Sequence, residues 1–176
     1  DINAKHQIID GIHYFPIFPK YNFIEKIKNK LDWAISKKKI LPLSLEIINT
    51  YKPNVIQIFG SEWCFGQVTK YTNIPVVVHM QGSIPPYNNA YYPPGYNEWT
   101  ELWFHFITLR WHKLILLPLK WHKQKTWQLQ EEETLRSVTH FMGRTHWDKA
   151  IVELYNPTAK YYYCSEALRP EFIQET

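Results

Sequence analysis

Residues 53–63 read PNVIQIFGSEW, and residues 75–83 read PVVVHMQGS. Each is a short, β-branched apolar run that leaves a proline turn, follows a helix-like segment and closes on glycine. Small, acidic or amide residues come directly behind the glycine. Runs of this length and composition read as buried strands. Two of them joined through helix-like chain call for a parallel pairing with a right-handed crossover. Parallel α/β sheets bind ligands just past the carboxyl ends of their strands, so the pair places a site before it says what fills it.

The pattern recurs downstream. Val138 to Met142 reads as a third strand and Lys160 to Cys164 as a fourth. Between them lies a helix that Thr145 caps, Asp148 completes as a capping box, and Asn156-Pro157 ends. Ser61 is expected to cap a short helix running to about Tyr71. Upstream, Pro42 is expected to open a helix with Leu45, Ile48 and Tyr51 on its apolar side, because its fixed φ suits a first helical position. Nearer the amino end, residues 6–18 read as a hairpin turning at Asp10-Gly11. Asn22 and Glu25 form another capping box. The helix they open carries Phe23, Ile27, Leu31 and Ile35 at spacing four as a buried face, with Lys37 to Lys39 near its end, where cations favour the helix dipole. Residues 84–98, IPPYNNAYYPPGYNE, are too rich in proline for a regular helix and are expected as an ordered aromatic loop. Strand and helix alternate from about residue 42, so the expected class is α/β: a single Rossmann-like domain over 1–176, three-layered, with a mostly parallel sheet.

A length of 176 residues suits one domain. The net charge of +4 allows attraction to phosphates or anionic lipids, but a solvated surface shows the same balance. The two cysteines, Cys64 and Cys164, lie far apart with neither CxxC nor zinc-finger spacing and read as reduced thiols. The sequence has no GxGxxG, no GxxxxGKS/T, no HExxH and no GxSxG, so it does not support a dinucleotide enzyme, a P-loop enzyme, a zincin or an α/β-hydrolase. His140 and His146 are poorly spaced for a metal and no DxD pair occurs, so neither metal nor cofactor is expected. No signal peptide opens the chain, and no uncharged apolar stretch reaches the roughly 20 residues a spanning helix needs. The expected location is the cytoplasm, with the inner face of the cell membrane as a surface for peripheral attachment.

Four strand ends are expected along one edge of the sheet. They present Gly60-Ser61-Glu62, Gln81-Gly82-Ser83, Gly143-Arg144-Thr145 and Ser165-Glu166. Glycine lets a ligand approach the backbone. Ser61 and Thr145 stand at helix starts, where free N–H groups favour anions or hydroxyls. Carboxylate, amide and guanidinium groups supply the directional hydrogen bonds that a polyhydroxylated ligand needs. Ser61 and Thr145, taken singly, are explained as well by capping alone.

KPNVIQIFGSEW, NIPVVVHMQG, VTHFMGRTHWDKA and NPTAKYYYCSEALRPEF together resemble the amino-terminal domain of a family-4 glycosyltransferase of the GT-B fold, over roughly residues 42–173. GRTxWD and CxExLRP are the most specific parts. The resemblance implies two facing Rossmann-like domains, the first binding the acceptor and the second the nucleotide sugar. It implies that the donor domain, and a first strand with its Gly-rich loop, lie outside this chain, which by itself is expected to be inactive. The implied activity is that of a retaining hexosyltransferase building a bacterial surface glycan. Its implied partners are a nucleotide-sugar donor held by the other domain and a glycan or lipid-linked acceptor held here. On that basis Glu62 and Gln81 would hydrogen-bond sugar hydroxyls, and Gly82 and Ser83 would line the cleft floor. Arg144 would meet a phosphate or carboxylate, and Glu166 would orient Arg144 or a hydroxyl. Gly60, Ser61 and Thr145 complete the substrate-binding set. Many members carry histidine where Gln81 stands. Here His79 comes two residues earlier, on the same strand face, and Gln81 can bond a sugar but cannot act as a base at neutral pH. The rival reading is a non-catalytic sugar- or partner-binding module on the same scaffold, with residues 84–98 as its contact surface. A nucleotide-dependent epimerase is opposed by the missing glycines and the missing Tyr-x-x-x-Lys.

Residues 99–127, WTELWFHFITLRWHKLILLPLKWHKQKTW, read as helix. Glu101, His105, Thr108 and His112 form a polar stripe, with Trp99, Trp103, Phe106, Leu114 and Leu117 opposite and Arg110 among them. Pro118 is expected to kink or end the helix. Two readings fit. In one, the segment lies in the headgroup region of an anionic membrane, touching it through Trp99, Trp103, Arg110, Lys113, Lys120 and Trp121. In the other, it packs on the sheet with its basic end exposed. Nucleic acid is not an expected partner, because the basic aromatic stretch stands alone without a module pattern.

Overall fold

The computed structural model describes residues 6–31 and 34–165. A hairpin comes first, β1 (Gln7–Ile9) against β2 (Ile12–Tyr14). Asp10 and Gly11 both take positive φ, 51° and 77°, as a two-residue type I′ turn requires. Then follow α1 (Phe23–Leu31), α2 (Ala34–Tyr51), β3 (Ile56–Phe59), a 3-10 helix (Cys64–Lys70) and β4 (Val76–His79). The chain continues through α3 (Ile84–Asn89), α4 (Glu98–Ile107), α5 (Trp111–Ser137), β5 (His140–Gly143), α6 (His146–Tyr155) and β6 (Lys160–Tyr163). Strands β3, β4, β5 and β6 form one all-parallel sheet in that order, a mixed α/β arrangement compatible with a Rossmann-like fold.

Register explains the core. Ile58, Val78, Phe141 and Tyr161 stand side by side across the four strands, with Ile56 and Val76 one pleat earlier. This row packs with Ile40, Leu41 and Ile48 of α2, Val68 of the 3-10 helix, Leu135 of α5 and Ile151 and Val152 of α6. The alternate residues Phe59, His79, Met142 and Tyr162 make the opposite face, and Phe59 is 69% exposed. Among the described residues the sheet therefore carries one helical layer, where two were expected. The strand order advances without reversing, and crossovers of one hand then stack their helices on one side.

Tertiary packing overrides several local expectations. Pro42 does not open a helix but lies inside α2. Ile40 and Leu41 before it and Ile48 after it are all core, and their burial outweighs the roughly 3 kcal/mol an interior proline costs. α1 opens on the expected box: Glu25 N–H donates to Asn22 Oδ1 at 2.7 Å, and Asn22 N–H to Glu25 Oε2 at 2.9 Å. The face expected to be buried is open, however, with Phe23 76% exposed and Ile27 also exposed; the side chains of Leu31 and Ile35 lie outside the described residues. Lys37 and Lys39 fall in the first turns of α2, paired with Glu133 and Glu25. Residues 84–89 are helical, because Pro85 and Pro86 occupy a first turn whose N–H groups have no intrahelical partner.

The Trp-rich segment is two helices. It breaks at 108–110, where Leu109 has a φ of 54°, and Pro118 sits inside α5. A polar clamp holds α4 and the preceding loop to α5. Tyr92 Oη donates to Glu101 Oε2 (2.6 Å), Lys120 Nζ donates to Glu101 Oε1 (2.6 Å), and Trp121 Nε1 donates to Tyr92 Oη (3.1 Å). Burial, reinforced by Glu101, pushes the Tyr92 hydroxyl up to about 12. α5 has 27 residues, about 40 Å at 1.5 Å per residue. Further along it, Glu133 binds both Lys37 and Lys70 and so ties α5 to α2 and the 3-10 helix.

Candidate functional site

Strands β3, β4 and β5 run out together. Gly60 N–H donates to His79 O and Met80 N–H to Met142 O, both at 2.8 Å. Just past β3 and β4 lies a cleft of about 640 Å³. Gly60, Glu62 and Trp63 form one wall, Gln81 and Ser83 the next, and Tyr87 and Asn88 of α3 face Gln124 and Trp127 of α5. Gly60 has a φ of 83°, which favours glycine at this turn, and the Glu62 carboxylate lies against it. The Glu62 carbonyl accepts from Trp127 Nε1 (3.1 Å) and Gln130 Nε2 (3.2 Å). α5 thus fixes the backbone of the loop, while the Glu62 carboxylate lies over Gly60 at the cleft.

Glu131, not singled out in the sequence, organises this end of the sheet. It is fully buried, and its carboxylate accepts from Ser61 Oγ (2.5 Å) and from the Ile84 N–H (2.7 Å). One side chain of α5 therefore joins the loop after β3 to the start of α3. Burial raises its carboxyl above the ordinary range, against the lowering effect of the Ser61 and Ile84 bonds. In sequence the run Glu131-Glu132-Glu133 looks solvated. The available signal is that Glu131 shares a helix face with Thr134, Leu135 and Val138, all buried.

The expected site residues separate into two groups. Gly60, Glu62, Gln81 and Ser83 line the cleft. Ser61 does not cap the following helix: it points inward to Glu131, and the 3-10 helix starts behind Trp63 without a side-chain cap. Gly82 is exposed and does not line the cleft. Thr145 caps α6, with Oγ1 accepting from Asp148 N–H (3.0 Å), and Asp148 Oδ2 accepts from the Thr145 and Arg144 N–H groups. Arg144 is exposed but, like Thr145, is not part of the cleft. Glu166 lies outside the described residues. The four strand ends share one edge, as expected of a parallel sheet, but among the described residues only those of β3 and β4 line the cleft, together with α3 and α5. His79, nearly buried, faces Phe59 with ring centroids 5.5 Å apart, and neither ring nitrogen has a hydrogen-bond partner. It stands on the sheet face opposite the row of Ile58, Val78 and Phe141.

Of the residues expected at a membrane, Trp99, Trp103, Arg110 and Lys113 are exposed, whereas Lys120 and Trp121 are engaged by Glu101 and Tyr92. Among the described residues no group of three or more His, Cys, Asp or Glu side chains could hold a metal ion, and no helix is long and apolar enough to cross a membrane. Comparison with protein-family models, curated proteins and solved structures finds no match for this chain.

Proposed function

We propose that the cleft binds a carbohydrate and that the chain is the acceptor-side domain of a glycosyltransferase. The observation that carries this is the pairing, in one cleft, of aromatic surfaces with hydrogen-bonding groups of low charge. Trp63 and Tyr87 are exposed and Trp127 is half-buried, offering faces for the C–H surface of a sugar ring. Glu62, Gln81, Asn88 and Gln124 surround them with carboxylate and amide groups suited to hydroxyls. Among the described residues the cleft is lined by no lysine or arginine, and its amides and aromatic faces suit the neutral glycan part of an acceptor. Glu62 and Gln81 orient acceptor hydroxyls in this proposal. The transfer itself rests on the resemblance to GT-B amino-terminal domains, with the donor held on a second domain.

Titration with a panel of neutral oligosaccharides, followed by tryptophan fluorescence and calorimetry, tests the binding. Saturable binding is expected, weakened roughly tenfold by Trp63→Ala or Gln81→Ala, the effect of losing about 1.4 kcal/mol of contact. Indifference to every glycan, or wild-type affinity in both variants, would overturn the cleft assignment. Incubation with labelled nucleotide sugars and a membrane extract then separates the two roles: glycan binding without turnover makes the protein a sugar-binding module instead.

A further inference from the structure

We propose that the turn joining α4 to α5 is a bilayer-contact element that seats in the headgroup region of an anionic membrane. The turn exposes Trp103, Phe106, Ile107, Leu109, Trp111 and Ile115, with Leu109 69% and Ile115 74% exposed. None of these belongs to the core cluster. They come from the end of one helix, the break and the start of the next, so they lie together around one turn. A contiguous apolar patch of this kind on a surface marks an interaction site, whereas single exposed apolar side chains do not.

Charge identifies the occupant. Between Glu101 and Glu131 the chain has no acidic residue, while Arg110, Lys113, Lys120, Lys123 and Lys125 are basic. Lys120 is neutralised by Glu101 (2.6 Å). Arg110, at the turn itself, lies 5.7 Å from the centre of the Phe104 ring, and Lys113 is exposed one helical turn on. Protein–protein interface cores are depleted in lysine. Tryptophan beside lysine and arginine is what a lipid headgroup boundary selects. With no described helix able to cross a membrane, the turn would enter the interface to about 5–10 Å. Gln124 and Trp127 of the cleft stand 13 and 16 residues along α5 from Trp111 (124 − 111 and 127 − 111), about 20–24 Å at the helical rise. If the carbohydrate reading holds, and only then, this spacing presents the cleft to the head of a lipid-linked acceptor.

Flotation on vesicles of phosphatidylcholine and phosphatidylglycerol in equal parts, against phosphatidylcholine alone, tests the contact. The protein should float with the mixed vesicles at low salt, with tryptophan emission shifted to the blue and quenched by brominated lipid. Leu109→Asp and Ile115→Asp should abolish flotation. Aspartate accepts positive φ more readily than leucine, so the first variant should fold, and an unchanged circular dichroism spectrum confirms that it has. Arg110→Gln with Lys113→Gln should weaken binding roughly thirtyfold, from about 1 kcal/mol per cation near an anionic surface. Wild-type protein that stays in the soluble fraction, or Leu109→Asp protein that floats like wild type, overturns the proposal. So does self-association in light scattering that Leu109→Asp dissolves without any flotation, which would make the turn an interface between copies. Flotation without glycan binding sinks the cleft reading alone.

Discussion

Replacing Glu131 separates its hydrogen bonds from its charge. Glu131→Leu leaves the Ser61 hydroxyl and the Ile84 N–H buried without their acceptor. Each such group costs about 1–3 kcal/mol, so the expected loss is about 2–6 kcal/mol, a large part of the roughly 5–15 kcal/mol that holds a domain together. Glu131→Gln can keep both bonds, its Oε1 accepting from Ile84 and its amide donating to Ser61 Oγ. It should cost less than about 1 kcal/mol, since it also removes a buried charge. The pH dependence has a definite sign. The folded carboxyl titrates above its ordinary value of 4.5 because of burial. Above that value the folded state holds a proton the unfolded state has lost, so stability falls as pH rises from 4.5 toward the raised folded value. Urea unfolding of wild type and both variants across this range is the assay, with m-values compared to confirm a common transition. Glutamine should remove that slope. A leucine variant as stable as wild type, or a glutamine variant as damaged as leucine, would refute the assignment of Glu131 as the bonded tie between α5 and the cleft loops.

Three further outcomes are expected. Lys52 holds a φ of 45° behind the last turn of α2, and its N–H donates to Ile48 O; Lys52→Gly should raise stability by about 1 kcal/mol in thermal or urea unfolding, because glycine takes this conformation without strain. Thr145→Ala removes the side-chain cap of α6 and should cost about 0.5–2 kcal/mol, with little effect on glycan titration, since Thr145 is not part of the cleft. Burial raises the Glu101 carboxyl, but Lys120 and Tyr92 outweigh it and hold the group below 4.5. The clamp therefore contributes fully above that value and is lost as pH falls through the lower folded value; an acid titration of tryptophan fluorescence should show a transition that Glu101→Gln lacks.

How legible each feature was depended on how far apart its causes lie in the chain. The hairpin turn at Asp10-Gly11 and the capping boxes at Asn22 and Thr145 each depend on residues within three positions, and all three form as expected. The four parallel strands were equally legible, since each is a short β-branched or aromatic run. Pro42 misled, because a proline's local cost is visible in sequence and the packing of the helix around it is not; Pro118 likewise lies inside a helix that runs on past it. At the site, Gly60, Glu62, Gln81 and Ser83 follow from their place behind β3 and β4. Trp127, Gln124 and Glu131 reach the same place from α5, more than 40 positions later (124 − 83), and only the fold brings them there. The two-layer architecture was hidden for a related reason: strand identity can be read locally, but strand order cannot.

That one-way order has a consequence for the cleft. In doubly wound sheets a ligand crevice opens where the strand sequence turns back, because helices leave to opposite sides at that point. The β3–β6 series contains no such turning point, and the cleft borrows its far wall from α3 and α5 instead. The outer border of β3 carries no neighbouring strand among the described residues, and Phe59 and Gly60 stand at its end. Any β-segment joining along that border would run up to Phe59 and Gly60, beside the cleft wall that Gly60 and Glu62 form.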